Sequence, residues 1–296
     1  MSKLVDSILN TLKYSDHFDY PLKKNEIYSR LIKCSTTPKA FDRTLTSLTN
    51  SGQLGHKGSY YYLPGRGELL STRRARHKVS QDKIATLTPL ISKLAAVPGV
   101  LAIYLTGSLA VSNSHPSDDL DLMIITSPGR LWTTRLLLTL YTEFLGRRRR
   151  PQDGHSQNQL CLNLYLTPDS FLIPKNLHSL YTAYELIQAV PVYDPTRTHP
   201  LLLAANSWIS DYLPNVRTLL NRNSRLQVEK GSPAGERRVL VVQTLLDSLA
   251  KLLESLAYHL QYQYMKGKIT REHITRDSAF FHPHNPGKKV LKNLAL

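Results

Sequence analysis

The sequence predicts an α+β protein organised in three segments, and three observations predict this class. Apolar residues recur every three or four positions before residue 73 and after residue 170, which is the periodicity of amphipathic helices. Two apolar runs in the middle segment, residues 100–105 and 120–126, are typical of buried strands. A length of 296 residues corresponds to roughly two domains. The expected domains are residues 1–72, a strand-containing domain over 73–170 and a helical domain over 171–296.

The composition of the chain excludes several classes of protein. Hydrophobic residues make up 41% of the chain, which is enough to form cores and excludes a wholly disordered protein. The two cysteines, Cys34 and Cys161, are too few and too far apart for a disulfide scaffold. No segment provides the ~20 apolar residues of a membrane span, and residues 1–16 lack the apolar core of a signal peptide. We therefore expect a cytoplasmic protein with no membrane partner.

The charge of the chain is distributed unevenly. Lys and Arg number 38 against 22 Asp and Glu, a formal net charge of +16. The excess is +4 over residues 1–72, +5 over 73–98 and +7 over 171–296, whereas residues 99–170 are neutral. Basic flanks around a segment rich in carboxylates indicate a polyanionic partner such as DNA or RNA. General solubility explains the same charge, and the sequence does not decide between the two.

Residues 1–65 are predicted to form three helices and a hairpin. The predicted elements are a helix containing Leu4, Ile8 and Leu12, a second over residues 23–33, a third beginning at Pro38 and containing Phe41, Leu45 and Leu48, and two short strands over residues 53–64. This order resembles a winged helix-turn-helix domain. The resemblance implies that the third helix enters the major groove and that the hairpin touches the backbone of DNA.

The resemblance also implies which residues would contact the nucleic acid. The outward residues are Lys39, Arg43, Thr44, Ser47 and Asn50 on the third helix, with His56 and Lys57 on the hairpin. Two cations on the helix are a small supply for phosphate contacts. Because many such domains bind proteins instead, a nucleic-acid partner and a protein partner are both left open.

Two further clusters of basic residues accompany predicted helices. The first is Arg73, Arg74, Arg76 and Lys78, at the start of a helix that extends to about residue 96. This cluster is explained equally well by a solvated helix face and by a contact with nucleic acid. The second is Arg147 to Arg150, which follows the helix that contains Arg135. Cations at the end of that helix suit the negative end of its dipole, and they also suit a contact with a nucleic-acid strand that acts as acceptor. Arg135 itself fits either a phosphate contact or an exposed or ion-paired position, and the second is expected.

The residues that carry chemistry follow the first predicted strand of the middle segment and open the second. The first strand leads into Gly107 and Ser108, where glycine permits close backbone approach and serine offers a hydroxyl and an amide to phosphate oxygens. Asp119 and Asp121 open the second strand, and their side chains project to the same face because they lie two residues apart. Two neighbouring carboxylates need a cation, and phosphate-bound Mg²⁺ is the usual one. Asp118 should face the other way and be exposed.

Gly107 and Ser108, followed after ten residues by Asp119 and Asp121, resemble the hallmark of the DNA polymerase β-like nucleotidyltransferase superfamily, including its minimal nucleotidyltransferases. The resemblance covers residues 99–166. It implies a small mixed sheet flanked by helices, with the glycine and serine at the triphosphate and the two aspartates as ligands of catalytic Mg²⁺. The alternative is an acidic loop that caps a structural strand.

The resemblance implies a third carboxylate on the next predicted strand, residues 160–166. The polar residue within the alternation of that strand is Asn163, which puts the third metal-ligand position in doubt. An amide oxygen attracts Mg²⁺ more weakly than a carboxylate, and an amide does not accept a proton near neutral pH. We expect either slow chemistry after competent nucleotide binding or a carboxylate supplied from elsewhere, with Asp169 and Glu185 as the nearest downstream.

The C-terminal segment contains a long helix and a weak metal motif. An apolar stripe predicts a helix that faces the core. Its members, four and three residues apart, are Val242, Leu246, Leu249, Leu253, Leu256 and Leu260, and Leu245 and Leu252 widen it. His282 and His284, with His273 upstream, invite a zinc interpretation, although no cysteine or carboxylate lies at ligand spacing.

Together these features predict a Mg²⁺-dependent nucleotidyltransferase that moves a nucleoside monophosphate from an NTP, with ATP expected first, to an unidentified acceptor. The alternative is a regulatory or nucleic-acid-binding protein whose transferase domain binds a nucleotide but turns over poorly. The Gly-Ser and Asp-x-Asp motifs favour the enzyme, whereas Asn163 and the basic N-terminal domain favour the alternative. The sequence leaves the acceptor and the oligomeric state open.

Overall fold

The computed structural model describes residues 2–150, 156–216, 240–267, 269–270 and 272–281, with the backbone alone described over 240–247. Within these ranges the chain has a three-stranded sheet near its N-terminus and a mixed six-stranded sheet at its centre, with helices around both. The expected α+β class is therefore confirmed. None of the helices in these ranges has the length and apolarity needed to cross a membrane.

The N-terminal unit, residues 2–62, consists of three helices and a three-stranded sheet. Its elements are α1 Lys3–Asp16, β1 Leu22–Lys23, α2 Lys24–Ser29, α3 Pro38–Asn50, β2 Gly55–Lys57 and β3 Tyr60–Tyr62. Helices α1 and α3 begin at side-chain caps, because the hydroxyls of Ser2 and Thr37 accept backbone N–H groups of the first turns. The apolar faces of the three helices form one core. Strand β3 lies between β1 and β2.

Helix α2 ends at Ser29, earlier than the predicted end at residue 33. The backbone groups that would continue it bond elsewhere. The Ile32 N–H donates to the Thr11 hydroxyl at 3.2 Å, and the Lys33 N–H donates to the Tyr212 carbonyl at 2.8 Å. These tertiary hydrogen bonds satisfy the backbone without a helix, so the helical periodicity extends beyond the helix itself.

Helix α4, Leu69–Ala95, connects the N-terminal unit to the central sheet. Arg73 does not lie on a solvated face, because its side chain is buried. Its guanidinium pairs with Glu26 at 3.0 Å and donates to the Tyr20 hydroxyl at 2.9 Å. Charge-assisted bonds of this kind are stronger than neutral ones, so Arg73 fastens the start of α4 to the N-terminal unit.

The central sheet combines strands from the middle and C-terminal segments. Its strands are β4 Val100–Leu105, β5 Leu120–Thr126, β6 Leu160–Leu166, β7 Val190–Tyr193, β8 His273–Ile274 and β9 Ser278–Phe280. Their order is β7-β4-β5-β6-β9-β8. Strands β5 and β6 run parallel, and the other neighbours run antiparallel. The predicted strands β4 and β5 are central and almost wholly buried.

Helices cover both faces of this sheet. Besides α4 they are α5 Gly107–Ala110, α6 Leu131–Phe144, α7 Leu180–Gln188, α8 Thr198–Ala205, α9 Ile209–Tyr212 and α10 Leu240–Lys266. Alternate residues of a strand point to opposite faces. Met123 and Ile125 of β5 therefore pack with α7, while Leu122 and Ile124 pack with α4 and α6. By the same alternation Asp121 lies on the α7 face.

The chain after residue 170 differs from the expected helical domain, because it supplies three of the six central strands. Strand β7 pairs with β4, and β9 pairs with β6. These strands are two to four residues long. A strand is recognised by alternation over about four to eight residues, so the sequence does not predict strands this short.

Helix α10 buries a different face from the predicted one. The leucine stripe is expected to face the core, yet five of its leucines are 47–65% exposed, namely Leu249, Leu252, Leu253, Leu256 and Leu260. Among the side chains described for this helix, residues 248–266, those of Ala250, Ala257 and Gln261 are buried, and the helix lies against α6. The small side chains of Ala250 and Ala257 let α10 approach α6 closely. The face of α10 that packs against α6 is therefore this one, and the leucine stripe stays exposed.

Candidate functional site

Gly107 follows β4 and packs against Asp121. Its φ of +61° lies in the left-handed region that favours glycine. A Cβ atom at this position would lie 2.6 Å from Asp121 Oδ2, so no other residue fits without displacement. The Thr106 N–H also donates to the Asp121 carbonyl oxygen at 3.1 Å. The turn after β4 and the second aspartate are therefore in direct contact.

Ser108 holds the loop that precedes β5. Its hydroxyl donates to Asp118 Oδ2 at 2.8 Å, and the same oxygen accepts the His115 N–H at 2.8 Å. Asp118 is half-buried, which differs from the exposed position expected for it. A hydroxyl has a single proton to donate. In this arrangement the Ser108 proton is engaged by Asp118, and a phosphate contact through this hydroxyl requires that bond to break.

Asp119 immediately precedes β5, and its side chain is only 14% exposed. Among the described residues, no hydrogen-bond donor meets its buried Oδ2 atom. Arg149 Nη1 lies 2.8 Å from that oxygen, so the two groups form an ion pair without the alignment of a hydrogen bond. Oδ2 therefore has acceptor capacity that no described hydrogen-bond donor uses.

Asn163 lies at an irregularity in β6, next to the aspartates. The register between β5 and β6 shifts between Leu122 and Met123, which leaves Asn163 as an extra residue in its strand. A bulge of this kind redirects a side chain. The Asn163 Nδ2 atom donates to Asp121 Oδ1 at 2.7 Å. The amide thus lies beside the aspartate pair and orients one of its carboxylates.

Arg149 is a site residue that the sequence analysis does not single out from its cluster. Besides Asp119, its Nη1 atom contacts the Cys161 sulfur at 3.4 Å, and its backbone N–H donates to the Leu160 carbonyl at 3.1 Å. Burial lowers the pKa of Arg149, but Cys161, Asp119 and Asp121 outweigh it and raise the pKa above the usual value. The guanidinium therefore stays charged beside the carboxylates.

A divalent cation fits the two aspartates better than it fits the thiol beside them. One ligand atom each from Asp119, Asp121 and Cys161 lie within 4.8 Å of one another. Burial and then the charges of Asp121 and Asp119 raise the pKa of the Cys161 thiol, so the thiol stays protonated. Hard cations such as Mg²⁺ prefer carboxylate oxygens, and soft thiolates suit other metals. The residues able to hold Mg²⁺ are therefore the two aspartates.

The two proposed substitutes for the third carboxylate lie at different places. Asp169 is exposed and follows the end of β6 that is opposite to Cys161. The strand between them rises about 3.3 Å per residue, which separates the two positions by well over 15 Å. The structure therefore does not bring Asp169 to the aspartate pair.

Glu185 lies on α7, which covers the same face of the sheet as Asp121. Tyr181, one turn earlier, hydrogen-bonds Glu185, and burial followed by the charges of Glu185 and Asp121 raises the pKa of its hydroxyl. Burial raises the pKa of Glu185 to about 7, against the lowering effect of the Tyr181 hydrogen bond. Glu185 is thus a carboxyl group that titrates near neutral pH on the site face.

The other candidates from the sequence lie away from this site or outside the described residues. Arg135 contacts Gln261 and Met265 of α10 instead of a phosphate-binding position. His273 lies in β8 against Phe280, and its zinc partners at positions 282 and 284 fall outside the described residues. No family model matches the chain, and no curated protein matches it either.

Proposed function

We propose that this chain is a Mg²⁺-dependent nucleotidyltransferase of the DNA polymerase β-like type, which moves a nucleoside monophosphate from ATP or another NTP to an acceptor. The observation that carries the proposal is the contact of Gly107 with Asp121, with Asp119 beside them. A glycine turn against two carboxylates provides one place where a phosphate chain and a cation can meet. Both cysteines are free thiols, which supports the reducing cytoplasm as the compartment.

In this proposal Asp119 and Asp121 hold Mg²⁺, which when bound supplies charge neutralisation for the phosphates. Asn163 fixes the orientation of Asp121 by donating to Oδ1, while Oδ2 points toward Gly107. Arg149 is 43% exposed and fully charged, so its guanidinium can exchange Asp119 for a phosphate oxygen when a nucleotide enters. The absence of a side chain at Gly107 lets the phosphates approach the backbone.

The proposed transfer needs an acceptor for one proton. An oxygen of the acceptor bonds to the α-phosphorus, the bond to the bridging oxygen breaks, and pyrophosphate leaves. Asn163 cannot take the proton of the acceptor hydroxyl. Glu185, with a pKa raised to about 7 by burial, has the basicity suited to this role at neutral pH.

We further propose that the N-terminal unit is a winged helix-turn-helix domain that contacts DNA or RNA. The order of three helices followed by the β2–β3 hairpin supports this assignment. The outward residues Lys39, Arg43, Ser47, Asn50, His56 and Lys57 are exposed, and Thr44 is half-buried. They provide a polar, weakly basic surface, which suits modest affinity for a phosphate backbone.

A second candidate function is a regulatory or nucleic-acid-binding protein whose transferase domain binds nucleotide with little turnover. Asn163 and Arg149 favour it. The first is a neutral amide where the family places a carboxylate, and the second is a cation that already neutralises Asp119. Competent nucleotide binding combined with slow transfer would distinguish this candidate from the enzyme.

The test uses the full chain, each α-labelled NTP, Mg²⁺ and a cell extract as the source of acceptor. Wild type should transfer label in a Mg²⁺-dependent manner. Asp119→Asn and Asp121→Asn should each lower transfer and Mg·ATP affinity on the order of 100-fold, because each removes a metal ligand's charge while keeping its shape. Circular dichroism should show that both variants remain folded.

The matched control is Asp82→Asn, which removes the same charge from an exposed position on α4. It should leave both measurements unchanged. Mg·ATP binding by wild type without transfer of any label would select the regulatory candidate. If calorimetry finds that both site variants bind Mg·ATP as tightly as wild type, the metal assignment is wrong.

A further inference from the structure

A second cavity, distinct from the aspartate site, lies where the N-terminal unit meets the central sheet. It has a volume of about 490 Å³. Its walls come from the N-terminal unit, the first turns of α4, the end of α5 and the segment that joins α7 to β7. Small-molecule sites have volumes of roughly 300–1,000 Å³. We call this cavity the basic cleft.

Cations outnumber carboxylates around the basic cleft. Its charged lining residues among the described part of the chain are Lys23, Arg30, Arg73 and Arg74 against Glu26, with His77 nearby. Burial opposes the ionisation of Glu26, but hydrogen bonds and charge from Arg73 hold its pKa below the usual value. The carboxylate is therefore ionised and cancels one cation. Three positive charges are left without a lining carboxylate.

Arg73 and Arg30 differ in what their guanidinium groups contact. Arg73 pairs with Glu26 and lies 3.9 Å from the centre of the Tyr20 ring and 4.8 Å from that of Tyr60. These contacts engage the Arg73 guanidinium within the protein, so Arg73 has a structural role. Arg30 also lines the cleft, and its Nη1 atom is buried with no hydrogen-bond partner in the described residues. A buried donor without an acceptor costs free energy, which a ligand oxygen would recover.

We propose that the basic cleft binds a chain of closely spaced phosphate groups. A single carboxylate or phosphate would balance only part of the excess charge, whereas two or three linked phosphates balance it and fit the volume. Arginine donors match phosphate oxygens in geometry, and Lys23 and Arg74 are exposed at the rim to meet them. Arg30 supplies the inner donor. The ligand is the oligophosphate part of a free nucleotide or consecutive phosphates of an RNA strand.

The cleft adjoins the aspartate site through α5. This helix begins at Gly107, against Asp121, and its last residue, Ala110, lines the cleft. At about 1.5 Å per residue the two ends are about 5 Å apart along the helix axis. The proposed metal site is therefore at the first residue of α5, and a phosphate chain in the cleft lies at the last residue of this single-turn helix.

Calorimetry of the full chain with tripolyphosphate in EDTA tests the proposal without any metal or nucleoside. Wild type should bind one equivalent. Arg30→Met and Arg74→Gln should each weaken binding about tenfold, the scale of one charge-assisted contact. Arg74 is exposed, so Arg74→Gln keeps the test decisive if Arg30→Met fails to fold. EDTA removes the divalent cation on which the proposed function depends, so binding in this assay is independent of whether that function holds.

Lys93→Gln is the matched control, since it removes one exposed cation from the same helix far from the cleft. It should leave affinity unchanged. No binding by wild type, or equal losses in Lys93→Gln and Arg74→Gln, would overturn the proposal. A single-stranded RNA that displaces tripolyphosphate identifies the strand as the source of the phosphates. Failure of RNA to compete identifies a free oligophosphate.

Discussion

Asn163 has two effects at the residue scale: it orients Asp121 by a 2.7 Å hydrogen bond, and it leaves the site one carboxylate short of the three that the proposed function would use. Arg149 neutralises the charge of Asp119, but a charged guanidinium cannot take the proton that a third carboxylate would accept. A carboxylate at position 163 would have the opposite properties. It would repel Asp121 until a metal ion bound between them.

Asn163→Asp should therefore make the protein depend on metal. In EDTA we expect a loss of stability on the order of 1–3 kcal/mol, from a lost hydrogen bond and a new like-charge pair. Mg²⁺ should restore the melting temperature, and transfer should rise on the order of 10²–10⁴-fold with nucleotide affinity nearly unchanged. Thermal melts with and without Mg²⁺ measure the first effect. The control Asn176→Asp, at an exposed position, should change neither the melting temperature nor transfer. If Mg²⁺ does not change the melting temperature of the Asn163→Asp variant, residue 163 is not a metal ligand.

Glu185 predicts how stability depends on pH. Its pKa in the folded protein is raised to about 7, above the ordinary value of 4.5. A raised pKa means that the stability contribution is present at low pH and is lost as pH rises through about 7. Glu185→Gln keeps the shape and cannot ionise. In urea unfolding, the free energy of unfolding of Glu185→Gln should equal that of wild type near pH 4. Above pH 8 it should be larger by on the order of 2 kcal/mol. A difference that does not change with pH would contradict the assignment.

At the scale of elements, α6 depends on a cap from a distant helix. No side chain at its own N-cap position caps it. Instead, Glu254 of α10 accepts the Trp132 N–H at 2.7 Å and the Thr133 N–H at 2.8 Å. A carboxylate at a helix N-terminus meets both unsatisfied N–H groups and the positive end of the dipole. This contact fastens α10 to α6 although its leucine stripe is exposed.

Glu254→Gln should destabilise the protein by about 1–2 kcal/mol, because the charge is lost and one amide group is a donor facing backbone donors. Chemical denaturation measures the change. Lys251→Gln, exposed on the same helix, should cost less than about 0.5 kcal/mol. Equal costs for the two variants would show that the cap contributes nothing.

The elements also show what the sequence can and cannot predict. Strands β4 and β5 and helices α1, α3 and α4 have enough periodic residues to be recognised, and the Gly-Ser and Asp-x-Asp motifs meet because each follows or opens a strand. Arg149 and Cys161 join them through a loop and a bulged strand, which no local pattern encodes. The short strand β7 contains a proline, and the buried face of α10 is set by its neighbour. These features depend on tertiary contacts alone.

At the scale of the whole molecule, the N-terminal unit is joined to the central sheet by hydrogen bonds and ring contacts. Asn215 bridges them, since its Oδ1 accepts the Thr36 N–H and its Nδ2 donates to the Tyr28 carbonyl. Tyr14 of α1 stacks on Tyr184 of α7 with ring centres 4.1 Å apart. The basic cleft lies along this junction, so a ligand there would contact both parts of the chain.

The pairing of β6 with β9 has a consequence for synthesis on the ribosome. The paired residues Leu166 and Ser278 lie 112 positions apart. At the usual rates of translation, about 5–20 residues per second, β6 waits roughly 6–20 s for its neighbour. During that interval one edge of β6 exposes unpaired backbone groups, which are a template for other chains. Aggregation of nascent chains is therefore the hazard that this strand order creates, and early engagement by a chaperone is what would avoid it.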